Sequence, residues 1–204
     1  MDTLKTIKLR RTTRKFSAKK IDRRYVEEIL SYGIQAPSPK NDQPWYFCVV
    51  QAQEKKDKIA MILKKELQKL QMENKKKGMF RKDIESAFET VNILKTASVV
   101  IFVFLENNLF SVHDDGVSWN LAAKDVECTH IQSIGAAIQN ILLAATDLGI
   151  DSIWIGDIFY AYSALTNYLG EERSLMAAVA LGYGLDTPDK TPRKDLNDKI
   201  KWIV

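Results

Sequence analysis

Basic and hydroxyl-bearing side chains alternate over residues 10–16 (RRTTRKF). The guanidinium groups of Arg10 and Arg14 keep their charge at physiological pH and can each donate two parallel hydrogen bonds to one oxyanion. Thr12 adds a small neutral donor between them. This combination suits the oxygens of a phosphate group, although a run of charge is more often a solvated surface.

A second basic pair, Arg193 and Lys194, lies near the other end of the chain, directly after Pro192. If folding brings this pair close to the first segment, the two clusters can hold one phosphomonoester between them. The first segment also lies in a wider basic region, because residues 5–24 contain ten Lys or Arg and a single acid. A nucleic-acid-binding surface is the alternative that such a region leaves open. Only Phe16 and Tyr25 lie nearby as aromatics that could stack on bases, and no recognisable helix-turn-helix or RNA-binding motif follows, so we expect no nucleic-acid partner.

Three of the five prolines fall within residues 36–45 (APSPKNDQPW). Proline lacks an amide proton and restricts the residue before it, so we predict an ordered loop rather than a helix. On this stiff backbone Ser38, Asn41 and Gln43 would present fixed polar groups, which can read the edge of a planar heterocycle. The simpler interpretation is that Trp45 fills the core and the loop only leads into a strand.

Several common catalytic and binding motifs are absent from the sequence. No glycine is followed by lysine, which excludes a P-loop. Thr187 stands where a third glycine would complete a dinucleotide-binding motif after Gly182 and Gly184. The only histidines are His113 and His130, so we expect no metal site and no histidine-based nucleophile.

Composition and length predict one folded domain over residues 1–204. Hydrophobic residues make up 46% of the chain, and 30 basic against 26 acidic residues leave a net charge of +4, which is too balanced for a disordered chain. Cys48 and Cys128 lie far apart, and no apolar leader begins the sequence. We therefore expect a cytoplasmic protein without structural disulfides and without a membrane partner.

The elements that must position these groups follow from hydrophobic periodicity and from helix-ending residues. Asp22 is a predicted helix N-cap, Gly149 a predicted helix end, and the apolar run 99–105 (VVIFVFL) a predicted buried strand. Helices and strands do not alternate regularly, which favours an α+β fold over a doubly wound parallel sheet. We predict helices near 23–33, 54–77, 84–94, 134–148 and 161–169, and strands at 46–51, 99–105, 152–155 and 176–181.

In their order along the chain, the polar motifs resemble the nitroreductase family of FMN-dependent oxidoreductases, from residue 4 to residue 202. The family's opening Arg-x-Ser-x-Arg/Lys element and the aromatic after it are matched at residues 10–16, where Thr12 replaces the serine and keeps the hydroxyl. The family's Pro-Ser-small-x-Asn-x-Gln-Pro-Trp loop is matched at residues 37–45. There Pro39 replaces the small residue, which removes one backbone donor.

The second half of the chain carries the resemblance further. Residues 135–149 (GAAIQNILLAATDLG) resemble the family's buried dimer helix, and Ser133 stands where many relatives have an acid. Ile155 and Gly156 fall where the family's backbone meets the isoalloxazine ring, whereas we expect the adjacent Trp154 to fill the core. Residues 181–183 and 192–194 resemble the closing strand and the phosphate-binding arginine.

This resemblance implies a fold, a cofactor and a set of cofactor-binding residues. The fold would be a mixed, largely antiparallel sheet flanked by helices, in an intertwined homodimer with FMN at the interface. The apolar tail, residues 200–204, is expected to dock on the partner. The residues expected to bind FMN are Arg10, Arg11, Thr12, Arg14, Ile155, Gly156 and Arg193, together with Pro37, Ser38, Pro39 and Asn41 from the other subunit.

The resemblance also implies an FMN-dependent NAD(P)H oxidoreductase. Hydride would pass from NADH or NADPH through the flavin to a nitroaromatic, a quinone or a similar electron-poor acceptor, with both substrates using one pocket in turn. No catalytic side chain is expected, and Arg14 is the candidate cation beside N1 and C2=O of the flavin. Residues 107–119 are expected to form a lid and to select the acceptor. A flavin-binding sensor or carrier without turnover is the alternative.

Overall fold

The computed structural model of the chain describes residues 2–79, 81–106 and 121–203, with the backbone alone for residues 121–127. The helices in these ranges are α1 (Thr3–Leu9), α2 (Arg23–Gly33), α3 (Gln53–Lys76), α4 (Lys82–Thr96), α5 (Leu121–Asp147) and α6 (Tyr162–Leu169). The strands are β1 (Trp45–Val50), β2 (Val99–Leu105), β3 (Asp151–Ile155) and β4 (Ser174–Gly182). Short 3-10 turns lie at Pro39–Asn41, Asp157–Ala161 and Asn197–Lys199.

The four strands form one sheet in the order β1-β2-β4-β3, and each neighbouring pair is antiparallel. The predicted α+β class and the largely antiparallel sheet are therefore confirmed. β1 and β3 are the two edges of this sheet. Residues held beside β1 are thus separated from residues held beside β3 by the two central strands.

Helices cover both faces of the sheet, which explains the uninterrupted apolar sequence of β2. Val100, Phe102 and Phe104 belong to a core built with α3, α4 and α6. The residues between them, such as Ile101 and Val103, belong to a second core built with α2 and α5. A strand that is buried on both faces has no solvent-facing position, so the usual alternation of apolar and polar residues disappears.

Local chemistry fixes the helix ends that were predicted. The Asp22 side chain accepts a hydrogen bond from the amide of Arg24 and caps α2. Gly149 follows the end of α5 with a φ of 70°, in the left-handed region that glycine favours. A Cβ at Gly33 would lie 2.7 Å from Cγ1 of Ile141, so this glycine lets α2 approach α5 closely.

Several features of the chain differ from the sequence prediction or lie beyond it. α5 includes residues 121–133, which precede the predicted start near residue 134. The prediction missed them because this half of the helix carries many polar residues and lacks the dense apolar pattern of the other half. The tail residues Trp202 and Ile203 are exposed in the single chain, by 80% and 87%. The expected lid, residues 107–119, lies outside the described residues. Within the described ranges, no helix has both the length and the apolar character needed to cross a bilayer.

Candidate functional site

The basic segment near the start of the chain is held against the β3 edge of the sheet. Thr12 forms a parallel bridge with Ser152, and the amide of Thr13 donates to the Ser152 carbonyl at 3.0 Å. Farther along, Phe16 forms an antiparallel bridge with Gly184, just after β4. Backbone hydrogen bonds thus fix residues 12–16 beside β3 and beside the chain that leaves β4.

Asp151, the first residue of β3, ties these segments together with its side chain. Its Oδ1 accepts from the Thr13 hydroxyl at 3.2 Å, and its Oδ2 accepts from the amide of Gly184 at 2.8 Å. Thr13 is fully buried, so its hydroxyl needs such a partner. Sequence reasoning missed Asp151, because an isolated acid after a helix-ending glycine shows nothing of the two distant segments that it joins.

Arg10 and Arg193, one from each predicted phosphate-binding cluster, act on each other electrostatically. The pKa of the Arg10 guanidinium is lowered, first by partial burial, then by the positive charge of Arg193 and then by that of Arg11. Two cations from opposite ends of the sequence therefore lie close enough to repel each other. Within the part of the chain that the structure describes, neither Arg10 nor Arg193 forms a salt bridge that would offset this repulsion.

Arg11 has a different set of contacts from its neighbours. Its Nη1 donates to the carbonyls of Lys8, Leu9 and Arg10, at 2.8, 3.1 and 3.0 Å. These carbonyls lie at the C-terminal end of α1, where the last carbonyls of a helix lack partners within it and attract cations. Arg11 thus caps α1 with one terminal nitrogen and keeps only its remaining N–H groups for a ligand.

A cleft of about 250 Å³ brings together three of the predicted residues, Arg14, Ile155 and Gly156. Ile155 ends β3 and is buried, whereas the next residue, Gly156, is exposed to the cleft. A Cβ at Gly156 would meet no atom within 4 Å, so any larger side chain would extend into free space there. The sequence interpretation missed the wall of this cleft that α4 supplies, which consists of Ser86, Glu89, Thr90 and Ile93.

The proline-rich loop lies at the other edge of the sheet. It leads into β1, and three of its residues, Lys40, Asn41 and Gln43, have positive φ values of 53°, 58° and 50°. Such values are strained for residues other than glycine and persist only where contacts hold them. Ser38 supplies one of these contacts, since its hydroxyl accepts from the Gln43 amide at 3.0 Å.

A histidine on α5 provides a second anchor for this loop. His130 is buried, and its Nε2 lies 2.8 Å from Oδ2 of Asp42. Pro37, Pro39 and Asn41 remain exposed and Ser38 half-buried. Within one chain, these predicted residues are therefore not brought to Arg14 and Gly156, because the sheet separates the two groups.

The position of Trp154 differs from the sequence prediction. It was expected to fill the core, but its side chain is 46% exposed in the single chain. Its ring edge lies 3.8 Å from the position of a Cβ on Gly135, so it rests on α5 with much of its surface free. Because β3 is an edge strand, Trp154 has a neighbouring strand on one side only, which leaves much of its ring in solvent.

Comparisons with known proteins agree on one family. The family model described as "Nitroreductase family" matches residues 7–183. A protein of Archaeoglobus fulgidus, described as an NADH dehydrogenase/NAD(P)H nitroreductase, is 32% identical over 194 residues, which cover 92% of this chain and 88% of the relative.

Two solved structures have the same fold. A BluB-like flavoprotein from Clostridium difficile 630 is 25% identical with a TM-score of 0.83, and the alignment covers all of both chains. A nitroreductase from Desulfovibrio desulfuricans, crystallised in complex with FMN, is 26% identical with a TM-score of 0.71 and covers 100% of this chain and 98% of its own.

Proposed function

Because the chain belongs to the nitroreductase family, we propose that it is a homodimeric enzyme that passes hydride from NADH or NADPH to a nitroaromatic, a quinone or a similar electron-poor acceptor. Family membership makes it an FMN-dependent NAD(P)H oxidoreductase. The acceptor class, the order of the steps and the residues that bind FMN are our proposal. The observation that carries it is the repulsion between Arg10 and Arg193, neither of which forms a salt bridge with any carboxylate among the described residues.

The Arg10 and Arg193 pair suits the phosphate of FMN. Two guanidinium groups that repel each other are stabilised by an anion between them, and a phosphomonoester dianion offers several acceptor oxygens. Thr12 lies in the same segment, with its backbone fixed on β3. Arg11 stays in the proposed set with its remaining N–H groups, since its Nη1 already binds three carbonyls.

The cleft beside β3 suits the isoalloxazine ring. When bound, FMN supplies the hydride-transfer chemistry at its N5 atom. Gly156 leaves room for a ring to approach the backbone, and buried Ile155 fixes that backbone by its pairing with Ala178. Arg14 would stabilise the negative charge that accumulates near N1 and C2=O on reduction, because it is an exposed cation lining the same cleft.

We assign the proline-rich loop to the site of a second copy of the chain. Pro37, Ser38, Pro39 and Asn41 lie at the β1 edge, so they can reach a flavin at a β3 edge only across an interface between subunits. Exposed apolar groups give such an interface something to bury, since Trp154 and Trp202 are both large and solvent-facing in the single chain. This supports a dimer in which each site takes residues from both copies.

One exposed ring face would serve both substrates. A nicotinamide that delivers hydride must leave before a flat acceptor can take its place, which gives ping-pong kinetics. No described side chain in the cleft is needed as an acid or base for this exchange, because the chain's task is to bind and orient. The free thiols of Cys48 and Cys128 support our proposal of a reducing, cytoplasmic location.

A visible spectrum under anaerobic conditions tests the function. Purified protein incubated with FMN and desalted should keep the flavin absorbance, and NADH or NADPH should bleach it within seconds. A nitroaromatic or quinone added next should restore the colour. Protein that retains no flavin would refute the proposal, and flavin that neither nicotinamide reduces would instead indicate a sensor or carrier.

A further inference from the structure

Two side-chain hydrogen bonds join α4 to the 3-10 turn Asp157–Ala161. The hydroxyl of Thr90 donates to Oδ2 of Asp157 at 2.6 Å, and the hydroxyl of Tyr160 donates to Oδ2 of Asp83 at 2.8 Å. Asp83 and Thr90 are seven residues apart on α4 and therefore lie on the same face, two turns from each other. The turn after β3 is thus fastened to α4 at two points.

The two hydrogen bonds differ in their distance from the candidate site. Thr90 and Asp157 both line the cleft that contains Arg14 and Gly156. Tyr160 and Asp83 are not among the residues that line it, and their hydrogen bond is exposed. The chain therefore supplies an inner and an outer hydrogen bond of the same chemical type, hydroxyl to carboxylate, between the same two elements.

The inner hydrogen bond is not the one that local geometry would favour. A threonine inside a helix commonly donates to the carbonyl four residues earlier, which for Thr90 is that of Ser86. Thr90 is only 4% exposed, so its hydroxyl needs a hydrogen-bond partner. The Ser86 carbonyl could have been that partner. It donates instead to a carboxylate on another segment, and such a charge-assisted bond is stronger than a neutral one.

We propose that Thr90 and Asp157 are positioning residues for the flavin, an inference that rests on the proposed function. The β3 ladder ends at Ile155, which pairs with Ala178, so Gly156 has no strand partner to hold it. Its carbonyl accepts from the Phe159 amide at 3.0 Å, which ties Gly156 to the 3-10 turn Asp157–Ala161, and Asp157 binds that turn to Thr90 on α4. The pair therefore sets where the Gly156 backbone lies relative to the cleft.

The same hydrogen bond also controls charge in the cleft. Asp157 is a carboxylate that lines the same cleft as the Arg14 guanidinium. Bound to Thr90, its oxygen is directed toward α4. Without that bond, Asp157 is free to turn toward Arg14, which would neutralise the cation that favours reduced flavin. Loss of the bond should thus weaken flavin binding and lower the reduction potential of the bound flavin.

Single substitutions of Thr90 test this role, with Tyr160→Phe as the matched control. Thr90→Val removes the hydroxyl at nearly constant shape, Thr90→Ala removes it with a gain in helix propensity, and Thr90→Ser keeps it. Each variant is measured for FMN affinity by fluorescence titration, for the midpoint potential of the bound flavin, and for thermal unfolding without FMN. The Ala variant provides a second protein without the hydroxyl if the Val variant does not fold, because alanine favours the helix.

We expect the Val and Ala variants to raise the Kd for FMN by about three- to tenfold and to lower the midpoint potential. Thr90→Ser and Tyr160→Phe should match the parent within about twofold in Kd. Val and Ala variants that keep the parent's Kd and potential would overturn the positioning role, as would an equal change in Tyr160→Phe. Failure of the parent itself to bind FMN would refute the proposed function, and the inference with it.

Discussion

The variant Arg193→Ala tests whether two distant cationic segments bind one phosphate group. Arg193 is exposed and its only described hydrogen bond is a long one, from its Nη1 to the Thr191 carbonyl at 3.3 Å. Its removal therefore costs the unliganded fold little. A charge-assisted contact to phosphate contributes about 1.5–3 kcal/mol, so the Kd for FMN should rise by about ten- to a hundredfold.

The unliganded protein should respond to the same change in the opposite direction. Arg193 lowers the pKa of Arg10, which means that the two cations repel each other in the absence of an anion. Removing one cation relieves this repulsion, so the unfolding free energy without FMN should stay constant or rise by up to about 0.5 kcal/mol. Weaker FMN binding in an equally stable protein distinguishes a ligand contact from a structural one.

The assay is a fluorescence titration of FMN at two salt concentrations, paired with urea unfolding of the unliganded protein. Lys194→Ala is the matched control, because Lys194 is an adjacent exposed cation that is not among the charges acting on Arg10. We expect the control to change the Kd by less than about threefold. Equal effects of the two variants, or an unchanged Kd in Arg193→Ala, would refute the shared phosphate site.

Two further predictions concern polar groups inside the fold. Asp151→Ala leaves the Thr13 hydroxyl and the Gly184 amide without their acceptor, so urea unfolding should show that the unfolding free energy falls by about 2–4 kcal/mol. Asp151→Asn can replace one acceptor but not both, so its unfolding free energy should fall by about half as much. Lys56 is fully buried, where its ammonium group donates to the Ala97 carbonyl, and burial lowers its pKa from 10.5 to about 8. Between these values the unfolded chain holds a proton that the folded chain does not, so stability should rise by about 2–3 kcal/mol from pH 8 to pH 10.5, and Lys56→Met should abolish that rise.

Those parts of the fold that depend on local sequence could be predicted. The run VVIFVFL is a strand because both of its faces are buried, and its bounds of 99 and 105 agree with β2. Asp22 caps α2 because a carboxylate can bind an amide two residues ahead without help from the rest of the fold. In both cases the information lies within a few residues of the element.

The parts of the site that depend on distant segments could not be predicted from the residues alone. Asp151 binds residues that lie 138 and 33 positions away, and Thr90 binds one that lies 67 positions away. A single acid or threonine carries no pattern that identifies such a partner. Arg11 is a further example. The sequence analysis assigned its guanidinium group to phosphate, but its Nη1 donates to the Lys8 carbonyl at the end of α1.

The positions of the two edge strands account for the division of the proposed site between subunits. With neighbouring strands about 4.8 Å apart, β1 and β3 lie about 14 Å from each other across β2 and β4. The loop before β1 and the cleft beside β3 therefore cannot enclose one flat ring from the same chain. In the homodimer that we propose, a twofold axis would place the loop of each copy opposite the cleft of the other, and a single interface would do so twice. The anchoring of the loop by His130 then becomes part of the site, since α5 would fix the geometry that one subunit presents to the flavin of the other.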